Sequence, residues 1–245
     1  VRIQEETRPG SDDEKRGVAA VDRAISIISS LQGSSLPLNL SEISRATDLY
    51  KSTILRILQS LQDAGYVVKV DDTKYALGPT IMQLGMAYDR ANPLKHLFMP
   101  VMQRLVDSGT ESPSFHIRQT AEERICLFRI DSTHSTLDRV QVGDRLPMRR
   151  GAAGKVLLAF GDDKATGDEM DQIRRDCFAT SMGERDKFCA GFAAPVFTDR
   201  DRILGALSFS GPKERFGPTD IERMKEPMMS AVRELTDKLG GRYPI

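Results

Sequence analysis

Apolar positions between residues 39 and 58 recur at helical spacing. Leu40, Ile43 and Ala46 fall on one edge. Asn39 precedes them with Glu42 three residues on, the pairing of a capping box. Asp48 stands where the chain must turn, and Asp tolerates left-handed backbone. In the next run Ile54, Leu58 and Leu61 share one side, flanked by Leu55 and Ile57, which leaves Ser52, Thr53, Arg56, Gln59 and Ser60 opposite. Ser52 is placed to cap this helix and Gly65 to close it. Two β-rich runs, residues 66–70 and 74–77, flank a polar turn and predict a hairpin. Helix, turn, helix, hairpin is the order of a winged helix-turn-helix. Arg can fork onto guanine and Gln onto adenine, so the polar side of the second helix suits a major groove. An ordinary amphipathic helix with a wetted side fits the same spacing, and periodicity alone favours that plainer reading.

The flanking pattern extends the domain. Val18, Val21, Ile25, Ile28 and Leu31 predict an opening helix, broken by Gly33-Ser34-Ser35, and Leu36-Pro37-Leu38 is at most a short edge strand. Pro79 opens a helix with Ile81, Leu84 and Tyr88 in a stripe, and Met82, Met86 and Ala87 beside it. A helix that follows a wing has no local core to cover, so this stripe is expected to meet a second copy. Asn92-Pro93 restarts the helix, and Leu94, Leu97, Phe98, Val101 and Leu105 keep core spacing. From Ser112 strands are expected at residues 115–118, 124–131, 137–142, 178–181, 191–198 and 202–210. Helical segments are expected at 151–160, 162–175 and 218–239, the last kinked or broken at Pro227. The fold class is α+β, with an antiparallel sheet in the second half. The domains read as a flexible tail (1–16), a winged helix-turn-helix (17–78), a linker helix (79–92) and a mixed domain (93–245).

The chain resembles the IclR-type bacterial transcriptional regulators. The matching residues include Val21-Asp22-Arg23-Ala24-Ile25, Leu49-Tyr50-Lys51-Ser52-Thr53, Arg56-Ile57-Leu58-Gln59-Ser60-Leu61, Gly65-Tyr66-Val67 and Tyr75-Ala76-Leu77-Gly78-Pro79. Further on come Arg145-Leu146-Pro147-Met148, the run from Ala153 to Ala159, Ala193-Ala194-Pro195-Val196-Phe197 and the run from Ala206 to Pro212. Each is weak alone; their order over nearly the whole chain is specific. The resemblance implies a DNA-binding regulator, a homodimer or a dimer of dimers on double-stranded operator DNA, with a GAF-like effector-binding domain. The DNA contacts it points to are Arg23, Tyr50, Lys51, Ser52, Thr53, Arg56 and Gln59, with Lys69 and Lys74 on the wing.

Composition changes this picture little. The 245 residues carry 35 basic and 35 acidic side chains, and residues 17–80 are balanced as well, so bulk charge does not argue for nucleic acid. The second helix of the motif nevertheless has Lys51 and Arg56 with no acid before Asp63. Three cysteines without metal-type spacing are expected to be free thiols. No apolar run is long enough to span a bilayer and the first residues lack a signal-peptide core, so a cytoplasmic protein is expected.

Gly151-Ala152-Ala153-Gly154-Lys155 fails as a phosphate loop, because only two residues separate its glycines and Val156 follows the Lys. Small residues at a helix start leave backbone N–H groups open to an anion. By resemblance Ala152 and Ala153 help to hold a small organic effector. Ser208 and Ser210 on one strand face, and Leu146 and Met148, belong to the same expected site. This chain has Ser181 where many relatives carry an acid, and Gly191 where many carry Cys, with Cys189 two residues earlier in the same strand phase. Arg149 and Arg150 are candidates to fork onto a carboxylate, a solvated loop being the alternative. An acid lost and an arginine gained favour an acidic effector, such as an aromatic carboxylate. His96, His116 and His134 show no metal or nucleophile–base spacing, and Cys126 lies in an apolar strand. No cofactor, metal or catalytic residue is expected. The alternative is a sensor or enzyme of GAF-like fold that does not bind DNA.

Overall fold

The capping box forms. In the computed structural model, Asn39 Oδ1 accepts from the Ser41 and Glu42 N–H groups at 2.9 and 3.1 Å, and Glu42 returns a carboxylate to the Asn39 N–H at 2.7 Å. The structure describes residues 17–162, 165–199 and 202–244, so the tail read at 1–16 lies outside the described residues. The chain divides into two units, one ending at Ala91 and one beginning at Asn92.

The first unit runs α1 (Ala19–Gln32), β1 (Leu38–Asn39), α2 (Leu40–Thr47), α3 (Lys51–Asp63), β2 (Val67–Lys69), β3 (Lys74–Leu77) and α4 (Pro79–Ala91). Asp48 makes the turn between α2 and α3 with φ 55°. Ile27, Leu31, Ile43, Ile54, Leu58, Val67 and Tyr75 form the core. Two expectations shift. Ser52 is the second residue of α3, not its cap; Tyr50 holds the cap position without a side-chain bond. Ile27 and Leu31, four residues apart, turn the inner face of α1 inward, which leaves Val18, Val21 and Ile25 exposed. The α4 helix buries nothing, and Met82, Leu84, Met86 and Tyr88 are all exposed.

The second unit runs α5 (Pro93–Asp107), β4 (Ser112–Arg118), β5 (Glu123–Arg129), β6 (Arg145–Pro147), α6 (Ala152–Phe160), α7 (Asp168–Asp176), β7 (Ala179–Met182), β8 (Cys189–Phe197), β9 (Ile203–Pro212) and α8 (Pro218–Lys238). The strands form an antiparallel sheet of order β6-β5-β4-β9-β8-β7. Strand alternation sorts the side chains. Phe115, Phe192, Leu207 and Phe209 pack with Phe98, Met224, Met228, Val232 and Leu235 of α5 and α8 on one face. Ala193 and Ala206 meet Ala152, Ala153, Val156 and Leu157 of α6 on the other. This second face is lined by small and polar residues near the start of α6, and that leaves space.

The strand expected at 137–142 is absent. Asp138 there is an ion-pair partner of Arg129 and Arg185, so side chains rather than ladder bonds fix the segment, and β6 takes the sheet edge. The α8 helix continues through Pro227 without a break. Pro227 lacks only the N–H that would reach the Arg223 carbonyl, and residue 223 lies on the exposed side where water can serve it.

Candidate DNA-binding surface and ligand cavity

The α3 surface is built by its core side. Ile54 and Leu58 are buried, and this turns Lys51, Ser52, Arg56 and Gln59 outward, with Thr53 half-buried. Tyr50 is 85% exposed at the head of the helix. Gln59 donates to Asp63 at 2.8 Å. Arg23 on α1 is exposed, as are Lys69 and Lys74 on the wing strands. The wing turn is closed by Asp71, whose carboxylate accepts from Thr73 N–H and Lys74 N–H at 2.8 Å each; these bonds hold its carboxyl below the usual range. Every candidate DNA contact except Thr53 is therefore exposed, and the α3 candidates share the side away from the core.

The second-half candidates converge less completely. A cavity of about 40 Å³ lies between the start of α6 and the polar sheet face. Leu146, Ala152, Ala153, Ser181, Cys189, Gly191, Ser208 and Ser210 line it. Met148 does not: its side chain is fully buried in the core beneath α6. Arg149 and Arg150 do not either. Both are exposed, and Arg149 lies 3.9 Å from Glu122 at the surface. The solvated-loop alternative describes them, because the turn into α6 directs residues 149 and 150 away from the sheet.

Other residues supply the positive charge. Arg124 of β5 and Arg185 of the β7–β8 loop line the cavity, with His116 of β4. Arg124 is 3% exposed, and one end of its guanidinium donates to the Pro147 carbonyl. The same guanidinium lies under the first turn of α6. A Cβ on Gly154 would sit 3.0 Å from Arg124 Nη1, and one on Gly151 would sit 3.3 Å from Nη2. Gly151 has φ 88°, which suits glycine, and the N–H groups of Ala152 and Ala153 have no partner within the helix. Burial, and then the neighbouring Arg185, pull the Arg124 guanidinium down to about 10. Arg185 and Arg129 share Asp138, at 3.0 and 2.7 Å, while Arg124 makes no ion pair among the described residues. A buried cation without a carboxylate is costly, and an anion would relieve that cost.

Glu184 closes the other side of the turn, with Oε1 2.5 Å from Lys155 Nζ and Oε2 3.1 Å from the Gly151 N–H. Lys155 is thus committed to carboxylates, in keeping with the rejection of a phosphate loop. Burial pushes the Cys126 thiol up to about 12 and the Cys177 thiol up to about 11, and raises Cys189 as well, so these groups are thiols rather than nucleophilic thiolates. His116 is buried, and burial, reinforced by Arg124, Arg185 and Arg129, holds its imidazole well below the usual range, in the neutral form. His96 is exposed, and His134 lies 3.3 Å from Glu111. Among the described residues no group of His, Cys, Asp and Glu could hold a metal, and no helix is long and apolar enough to cross a membrane.

Sequence reasoning missed His116, Arg124 and Arg185. The phase of β5 held a signal: Arg124 alternates in step with Cys126 and Phe128, and all three are buried.

Family comparisons match this architecture. The IclR helix-turn-helix domain matches residues 20–71, and the bacterial transcriptional regulator IclR C-terminal domain matches residues 86–168 and 162–237. The regulator BhcR of Paracoccus denitrificans is 26% identical, over 96% of this chain and 95% of its own. The repressor IclR of Escherichia coli is 21% identical, over 91% of each. A putative IclR regulator from Silicibacter sp. TM1040 superposes with TM-score 0.78 at 24% identity, covering 92% of this chain and 98% of its own. An IclR homologue from Microbacterium hydrocarbonoxydans, solved with 4-hydroxybenzoate, superposes with TM-score 0.74 at 18% identity, covering 90% of this chain and 98% of its own. The matches cover most of the chain, from helix-turn-helix to effector domain, and the protein belongs to the IclR family of transcriptional regulators.

Proposed function

We propose that this regulator is switched by a small organic anion bound between Arg124 and the start of α6. The observation that carries the reading is the buried Arg124 guanidinium, which among the described residues has no ion pair and lies against helix N–H groups without a partner. The acid-binding Microbacterium homologue supports a carboxylate as the anion. Residues 17–78 would read DNA, α4 would link, and residues 93–245 would sense. Lys51, Ser52 and Thr53 meet phosphates or bases at the start of α3, with Arg56 and Gln59 deeper in the groove and Lys69 and Lys74 on the flanking backbone. The exposed apolar stripe of α4 supports a dimer or a dimer of dimers, which would match a two-fold operator. An anion that binds one sensor conformation better shifts the population of DNA-competent assemblies.

The test is fluorescence anisotropy of the full chain on DNA from upstream of its own gene, with benzoate and short aliphatic acids titrated in. Specific binding that an acid changes supports the proposal. DNA binding that no acid alters, with no heat of acid binding, overturns the effector reading. Arg56→Ala is expected to cost about 1–3 kcal/mol of operator affinity and to relax one base preference.

A further inference from the structure

The cavity is smaller than its proposed use requires. Its volume of about 40 Å³ is room for a few waters, whereas pockets that take organic ligands measure about 300–1,000 Å³. An acid the size of benzoate therefore enters only after a wall moves. Two irregular segments supply wall residues: Val140 comes from the segment between β5 and β6, and Arg185 from the β7–β8 loop, residues 183–188. The β5–β6 segment is fastened along its length. Ser132 N–H donates to Ser112 Oγ at 3.0 Å, the Thr136 carbonyl accepts from Arg215 at 2.8 Å, and the wholly buried Asp138 carboxylate lies 2.7 Å from Arg129. The β7–β8 loop is held differently. Phe188 near its end is 61% exposed and gives it no apolar anchor. Glu184 binds Lys155 and the Gly151 N–H at the start of α6, and Arg185 binds Asp138. The Glu184 and Arg185 side chains are 31% and 24% exposed, so water can replace these bonds, and ion pairs within reach of water are weak. Gly183 opens the loop with φ 69°, a conformation that suits glycine and a hinge, while the Phe188 carbonyl accepts from Lys213 N–H at 2.9 Å and ties the far end.

Resting on the anion-effector reading above, we infer that the β7–β8 loop is a latched gate to the cavity: Glu184 and Arg185 clasp it shut, and an acid binds with the loop swung out. Only the open population then takes up effector, and the two clasps set that population. The opposite charges of the clasp residues separate a gate from a charge effect. Glu184→Gln removes an anion beside the α6 N–H groups, and Arg185→Gln removes a cation from the cavity wall. Electrostatics alone makes the first variant take up an acid faster and the second slower. A broken latch makes both faster.

The chain contains no Trp, and Lys187 Nζ lies 4.8 Å over the Phe188 ring, so Phe188→Trp places a single fluorescent reporter beside the moving segment. Stopped-flow mixing of this full chain with benzoate, alone and combined with each clasp variant, gives the association rate constant. Both Glu184→Gln and Arg185→Gln should raise it by about threefold to tenfold, the factor by which a freed loop enlarges the open population. Hydrogen exchange supplies a second readout that needs no reporter. The Gly183 and Cys189 N–H groups, bonded to the Cys189 and Asp186 carbonyls at 2.9 and 3.0 Å, should exchange faster in both variants, and in the wild type saturated with benzoate. Association rates that move in opposite directions, or do not move, overturn the gate and leave the anion site standing. Where the fluorescence is silent, exchange decides. If benzoate does not bind while DNA binding persists, the anion reading falls and exchange alone judges the latch: faster exchange in both variants supports it, and unchanged exchange overturns it.

Discussion

Asp138 holds Arg185 at 3.0 Å with one carboxylate oxygen while the other lies 2.7 Å from Arg129, and the Asp138 side chain is wholly buried. One acid from an irregular segment thereby fixes an arginine of the cavity wall and a second behind it. Removing it takes the buried carboxylate from the Arg129 guanidinium, which is 5% exposed, and leaves it the solvent-facing Asp131. Asp138→Ala is expected to cost about 3–5 kcal/mol, the usual penalty for breaking a buried pair. Asp131 also binds Arg129, at 2.7 Å, but its side chain is 60% exposed. Asp131→Ala should therefore cost only about 0–1 kcal/mol. Urea midpoints of the two variants measure the difference, and equal losses would contradict this account.

The proposed anion site rests on Arg124, which lines the cavity, rather than on the adjacent Arg149-Arg150 pair, which does not. Arg124→Gln should lower affinity for a bound acid such as benzoate by about tenfold to a hundredfold, as for loss of a charge-assisted bond. Arg149→Ala and Arg150→Ala should leave it unchanged, since both side chains face solvent. Calorimetric titration of all three variants checks the assignment. A loss confined to Arg149 or Arg150 would return the anion site to the loop.

The difference between what the chain announced and what it hid has a physical basis. The α2–α3 region was legible because its signals are local: a capping box spans four residues, and the apolar side of α3 implies the opposite side directly. Eight lining residues of the cavity were reached through the family resemblance, with small residues at a helix start and a serine pair on one strand face agreeing with it. His116, Arg124 and Arg185 were not, because they converge from β4, β5 and a loop that only the sheet order brings together. Arg149 and Arg150 misled because sequence adjacency to Ala152 does not fix direction through a turn. The stretch at 137–142 has strand-like spacing, yet the ion pairs of Asp138 outcompete a ladder there.

His116 gives a pH dependence of stability. Its imidazole is held neutral in the fold, well below the ordinary value, by burial and by Arg124, Arg185 and Arg129. The unfolded chain takes up a proton near pH ~6.5 and the folded chain does not, so the unfolded state binds more protons below that pH. Stability is therefore full above about pH 6.5 and falls as pH drops toward the folded value. Melting temperatures of wild type should decline between pH 7 and pH 5, and His116→Asn should lack this part of the decline. Parallel profiles for the two proteins would show that His116 titrates as it does in water.

Two glycine-to-alanine changes should act in opposite directions. At Gly154 a Cβ would lie 2.1 Å from the Met148 carbonyl oxygen and 3.0 Å from Arg124 Nη1, so backbone or anchor must move. Overpacking of this kind costs about 1–3 kcal/mol, and displacing Arg124 should weaken acid binding as well. At Gly85, inside α4, a Cβ would meet nothing within 4 Å. There alanine should stabilise by about 0.5–1 kcal/mol, because glycine surrenders more backbone freedom in a helix. Thermal melts of both variants, with benzoate titrations of Gly154→Ala, separate a packed anion site from an exposed linker. A neutral Gly154→Ala would mean that the start of α6 is not pressed onto Arg124 in solution.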